Sequence, residues 1–235
     1  MALPNVIIAL LRRAGYGVVE ERNSFSGRNK QFFARTHIDL LLDVGAHVGD
    51  YARQMRRLGY RGRIVSFEPL SSAFRTLQAR AEADAAWTAV NAALGAEDGS
   101  AQLNISGMPM SSSLVEMLPL HVKAVPASRY VGTEEVTVRA LDSIFGEYYR
   151  SGEQVFMKLD TQGFEKSVLA GAAQSLQHIV GLQVEMSLVP LYQAEALVPE
   201  MLDLLQSLGF QLIALEPGFM TATQLLQVYG LFARL

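Results

Sequence analysis

The chain has 235 residues, of which 50% are hydrophobic and 18% charged, and 20 basic against 23 acidic side chains give a net charge of −3. That much apolar material excludes disorder as the main state and suits one α/β domain. With no cysteine in the chain, disulfides, thiolate zinc sites, iron–sulfur clusters and a cysteine nucleophile are all excluded, and a reducing compartment fits. The mild acidity argues against broad binding to a nucleic-acid backbone, which needs a basic field.

The N-terminal run Met1 to Leu11 is apolar, and its charges, Arg12 and Arg13, follow it rather than precede it. This pattern makes a poor signal peptide and predicts an amphipathic helix docked on the domain, with peripheral attachment to a membrane as the other reading. No window reaches the roughly 20 apolar residues of a membrane span, so the protein is expected to be cytoplasmic with no integral membrane segment. Residues 1–36 read as a helical arm or lid, and residues 37–235 as a single domain.

From Asp39 the pattern alternates between the two secondary-structure periods. Leu40–Val44 is a continuous apolar run ending at glycine, as a strand buried on both faces does. A helix over 51–58, a strand over 63–68 and a helix over 72–83 capped by Ser71 follow, then a strand over 87–94 that turns at Asp98-Gly99 into 101–105. Residues 106–135 show no sustained period and read as an irregular substrate lid; their Met108, Met110 and Met117 are adaptable contacts for an acceptor or for the core. The rhythm resumes with a strand over 154–160, a helix over 164–172, a strand over 180–185 and a helix over 196–208 closed by Gly209. Two final apolar runs, 210–215 and 227–234, flank Pro217-Gly218 and read as an antiparallel hairpin. Short loops between alternating strands and helices predict a mostly parallel sheet with helices on both faces.

The turn Asp43-Val44-Gly45-Ala46-His47-Val48-Gly49 follows an apolar strand and opens a helix, and Glu68 ends the next strand. Glycine lets a backbone approach a ligand, and an acid in Glu68's position can hold two ribose hydroxyls, so the pair points to a nucleoside cofactor. A pyrophosphate such as that of NAD wants glycines where His47 stands and no acid at Asp43. The cationic methionyl end of S-adenosylmethionine suits a carboxylate there. The same reasoning reads the arginines at 53, 56, 57, 61 and 63 as a solvated helix face rather than a nucleic-acid patch.

The sequence resembles the FkbM-type family of class I methyltransferases. The resemblance is carried by Leu42 to Gly49, Phe67-Glu68-Pro69, Asn91 to Gly95, Ser111-Ser112-Ser113-Leu114, Val138 to Ser143 and Met157 to Glu165, in that order. Two positions depart from it: Gln162 stands where many members carry glutamate, and His47 where asparagine is frequent. The resemblance implies a Rossmann-like, mostly parallel seven-stranded sheet with a C-terminal antiparallel hairpin, and S-adenosyl-L-methionine as cofactor. It implies that Gly45, Ala46, His47 and Gly49 form the turn under the methionyl part and that Asp43 faces its amino group. Glu68 would take the ribose hydroxyls, with Pro69 ending the strand so that this carboxylate faces the cleft. Asn91 and Ala92 would lie at the adenine edge, and Asp160, Thr161 and Gln162 beside the methyl group.

An unactivated hydroxyl acceptor needs a base near the methyl group. Asp160 and Glu185, which end adjacent strands, are the first candidates, and His121 in the insert is a third. Glu165 reads instead as an orienter of its helix. The paired carboxylates carry the oxygen donors a divalent cation requires, but no metal site is predicted. The expected activity is O-methylation of a small-molecule acceptor, a sugar, glycan or natural product. Methylation of RNA or protein, or a cofactor-binding module without turnover, are the alternatives. The oligomeric state is left open, a homodimer included.

Overall fold

The computed structural model describes residues 5–17, 20 and 23–234. Residues 1–4 of the expected N-terminal helix, and Arg22 of the expected arm, lie outside them. The helices are Asn5–Arg13 (α1), Phe25–Thr36 (α2), Asp50–Arg57 (α3), Ser71–Ala81 (α4), Pro119–Ala124 (α5), Leu141–Tyr148 (α6), Glu165–Ala170 (α7) and Val198–Ser207 (α8). The strands are Leu40–Val44 (β1), Arg63–Phe67 (β2), Trp87–Val90 (β3), Ala93–Gly95 (β4), Gly99–Ser106 (β5), Tyr130–Ala140 (β6), Val155–Leu159 (β7), Ile179–Ser187 (β8), Gln211–Pro217 (β9) and Gln227–Ala233 (β10).

Every residue of β1 and of β7 is buried, because each strand is covered on both faces. They form the centre of a seven-stranded sheet in the order β3-β2-β1-β7-β8-β10-β9. Strands β3, β2, β1, β7 and β8 run parallel, and β10 is antiparallel to both of its neighbours, which makes the expected C-terminal hairpin. On one face Leu42, Val44 and Met157 pack with residues of α6, α7 and α8. On the other, Leu41 and Phe156 pack with Phe33 of α2 and with Ala52 and Met55 of α3. The C-terminal ends of the parallel strands therefore open on one edge, where α/β sheets bind ligands.

Three expectations are corrected. The run 87–94 is not one strand. It breaks at Asn91, whose side-chain amide donates to the carbonyls of Glu68 (2.8 Å) and Pro69 (3.0 Å). Beyond the break β4 leaves for a separate three-stranded sheet, β4-β6-β5. The span 106–135 is less irregular than its sequence, because β6 reaches back to Tyr130 in an antiparallel ladder with β5. That ladder is mostly solvated, so it lacks the apolar alternation that would have announced it. Ser71 begins α4 rather than capping it, and its backbone N–H and hydroxyl both donate to the Glu134 carboxylate of β6.

The N-terminal helix is corrected as well. Ile7 and Leu10 of α1 are 41% and 61% exposed, so these side chains are not packed on the domain. The second helix is the one that docks: Phe32 and Phe33 of α2 meet the Phe156 ring at centroid distances of 5.8 and 4.7 Å. No described helix is long and apolar enough to cross a membrane.

Phe156→Ala removes the ring on which α2 rests and leaves a cavity under the sheet. It is expected to lower unfolding free energy by about 3–5 kcal/mol, read as a reduced urea midpoint at unchanged slope.

Candidate functional site

The turn after β1 requires its glycines for separate reasons. Gly45 has φ +74°, and a Cβ there would lie 1.9 Å from the Asp160 carbonyl oxygen, so only glycine fits between the ends of β1 and β7. Gly49 has φ +83° and caps α3 against the Trp87 ring, and it does not line the cleft. Its role is packing, which corrects its expected place under a ligand. His47 sits between them at φ +49°, in the left-handed region that asparagine and histidine tolerate better than branched residues.

Glu68 closes over this turn. Its Oε2 accepts the backbone N–H of His47 at 2.7 Å and its Oε1 that of Leu70 at 2.9 Å. Burial pushes its carboxyl up to about 7 in spite of both bonds. Each oxygen has one protein donor and keeps lone-pair capacity, and the residue lines the cleft beside Pro69. That arrangement fits two vicinal hydroxyls of a ribose. Asn91, expected at an adenine edge, is exposed and instead clamps the Glu68-Pro69 carbonyls; Ala92 does line the cleft.

Beneath the turn lies a buried ionic group. The Lys158 ammonium donates to the Gly45 carbonyl at 2.9 Å and lies 3.5 Å from Asp43 Oδ1 and 3.4 Å from Asp160 Oδ2. Burial alone would lower its pKa, but the carboxylates of Asp160, Asp43 and Glu185 outweigh that and raise it, so it stays charged. Asp43 is fully buried, accepts from Ser66 Oγ at 3.2 Å and does not line the cleft. This corrects its expected contact with a ligand amino group: its partner is Lys158.

At the ends of β7 and β8 the two candidate acids are joined through an amide. Gln162 Nε2 donates to Asp160 Oδ1 and to Glu185 Oε2, each at 2.8 Å, from a backbone held at φ +55°. Gln227 adds a donor to Glu185 Oε2 at 3.0 Å. Burial first, then the charges of Asp160 and Glu165, raises the Glu185 pKa well above the carboxylate range. Among the described residues no group of three or more histidine, aspartate or glutamate side chains has metal-holding geometry. Glu165 receives the Thr161 backbone N–H at 2.7 Å and its hydroxyl at 3.0 Å, the orienting role expected of it.

His121 is buried in α5, and both ring nitrogens are engaged. Nδ1 lies 3.0 Å from Ser128 Oγ, and Nε2 lies 3.3 Å from the Tyr192 hydroxyl, which donates to Gln162 Oε1 at 2.7 Å. Burial lowers its pKa. It borders the cleft, but it supports Tyr192 and through it Gln162, which corrects its expected role as a base on the acceptor. The last of the three serines is likewise structural: Ser113 Oγ donates to the Gln162 carbonyl at 2.7 Å.

These elements surround a cavity of about 690 Å³, within the range of small-molecule sites. Gly45, Ala46, His47, Glu68, Pro69, Ala92, Asp160, Thr161, Gln162 and Glu185 all reach it, as do Met108 and Met110 of the insert. Met117 is core instead. Residue reasoning missed Tyr192, for which the sequence gives no signal. It also gave Lys158 no role, although a lysine inside the apolar run 155–159 has to be paired.

A family model described as Methyltransferase FkbM domain matches residues 43–212. Among solved structures, the chain is similar to a methyltransferase FkbM from Methylobacillus flagellatus KT, with 18% identity and a TM-score of 0.50, covering 82% of this chain and 43% of that one. It is also similar to an rRNA methylase from Streptococcus thermophilus, with 9% identity and a TM-score of 0.50, covering 93% of this chain and 99% of that one. The chain thus spans less than half the length of the first, and at these identities the likeness is one of fold. No curated protein matches the sequence significantly.

Because folding raises the Glu68 pKa from 4.5 to about 7, its contribution to stability is complete below pH 4.5 and is lost as pH rises towards 7. Unfolding free energies of wild type and Glu68→Gln, compared at pH 5 and pH 8, should shift by about 2–3 kcal/mol in favour of the variant at the higher pH.

Proposed function

This chain belongs to the FkbM methyltransferase family, and we propose that it transfers the methyl group of S-adenosylmethionine to a hydroxyl oxygen of a small molecule, a sugar, glycan or natural product. The observation that carries the cofactor assignment is Glu68: a buried carboxylate at the end of β2, facing the cavity with acceptor capacity left on both oxygens. When bound, the cofactor supplies an electrophilic methyl carbon. The protein's own task is then to hold the acceptor in line and to receive its proton.

Glu185 and Asp160 suit that task. A carboxylate whose proton affinity is raised by burial takes a hydroxyl proton more readily than a solvated one. Gln162 fixes both side chains at the cavity floor, so neither has to reorganise as charge develops. Met108 and Met110 from the insert, and Phe25 from α2, supply apolar walls against which a sugar ring or a natural-product skeleton can lie.

Isothermal titration with S-adenosylhomocysteine tests the assignment, and no heat at several hundred micromolar ligand would end it. Glu68→Ala is expected to weaken that binding about tenfold to a hundredfold, since it removes charge-assisted contacts to ribose. Glu185→Gln should leave cofactor binding within twofold and lower the rate of methylation of a glycoside acceptor by about 10²–10⁴. Turnover with ribosomal RNA and none across a panel of glycosides and polyketides would replace the small-molecule reading with one on nucleic acid.

A further inference from the structure

Helix α2 precedes the segment that the family model covers, yet it contributes to the cavity wall. Its Asn29 is only 3% exposed and borders the cavity. The side-chain nitrogen donates to Gln183 Oε1 at 2.8 Å, and the Tyr51 hydroxyl donates to the same oxygen at 3.0 Å. The remaining atom, Asn29 Oδ1, is buried and has no hydrogen-bond partner. A buried acceptor left unpaired has lost its hydration with nothing in return, so a ligand donor that reaches it recovers a large contact.

Strand order says which donor arrives there. Ala92 follows β3, Glu68 follows β2, the glycine turn follows β1 and Asp160 follows β7, so a cofactor with its ribose on Glu68 runs along this edge from adenine to tail. Gln183 lies on β8, in register with Lys158 of β7, and thus stands next along the same edge. Asn29 is hung on that residue from above.

We propose that Asn29 Oδ1 accepts a hydrogen bond from the ammonium group of the cofactor's amino-acid tail, making α2 part of the cofactor site. The proposal rests on the cofactor assignment above. It also explains why an otherwise polar helix is anchored through the Phe33–Phe156 contact: that packing sets the height of Asn29 over the cleft.

Calorimetry with two probes separates this from the cofactor assignment itself. S-Adenosylhomocysteine carries the tail, and 5′-methylthioadenosine keeps adenine and ribose but lacks it. If wild type binds neither, the cofactor assignment fails. If wild type binds both, Asn29→Leu should weaken S-adenosylhomocysteine roughly tenfold or more while 5′-methylthioadenosine changes less than twofold, which also reports a folded site. Asn29→Asp retains an acceptor and adds charge, so its preference for the tailed ligand should equal or exceed that of wild type. An unchanged preference in Asn29→Leu overturns the proposal. So does an Asn29→Asp variant that loses the preference, since an aspartate repels a carboxylate and attracts an ammonium. Should Asn29→Leu bind neither probe, the Asn29→Asp result alone decides.

Discussion

One buried ammonium ties the functional edge of this protein together. Lys158 rises from the central strand β7 and holds the Gly45 carbonyl, Asp43 and Asp160 at once. Without it, the Asp43 carboxylate would sit unneutralised in the sheet interior, where an uncompensated charge costs several kcal/mol. The lysine therefore fixes the turn after β1 relative to the end of β7, and both segments line the cavity. The close approach of Gly45 to the Asp160 carbonyl is the steric counterpart of the same constraint.

Around that cation, the acids divide by environment. Glu68 and Glu165 are both pushed up to about 7 by burial, but each is directed by backbone N–H groups, the first at the turn and the second at the start of α7. Glu185 is held by neutral amides, Gln162 and Gln227, while burial and the neighbouring charges of Asp160 and Glu165 raise its proton affinity. Amide donors orient a carboxylate without adding a second full charge to stabilise its ionised form. The Tyr192–Gln162 bond, backed by His121, extends this ordered floor under the insert.

Much of this was legible locally. The parallel strands announced themselves as continuous apolar runs, because two-face burial leaves little room for polar residues. The turn Asp43 to Gly49 was readable because tight turns need glycine, and Glu68 because an acid stands directly after an apolar strand. Lys158 was readable in principle, as a charge inside a run with no exposed face. Tyr192 and Asn29 were not, since a single tyrosine in a loop and a single asparagine in a polar helix look like ordinary surface.

The sequence by itself determined the fold class, the glycine turn after β1 and the family, all of which depend on short-range patterns: periodicity, glycine placement and an acid at a strand end. Only the tertiary structure decided which polar groups face the cleft. It sent Asp43 inward to Lys158, turned Asn91 onto the Glu68-Pro69 carbonyls, engaged both nitrogens of His121 and brought α2 over β8. The partners of His121 and Asn29 stand as far as 71 and 154 residues away along the chain, and no local pattern encodes which of them a side chain will meet.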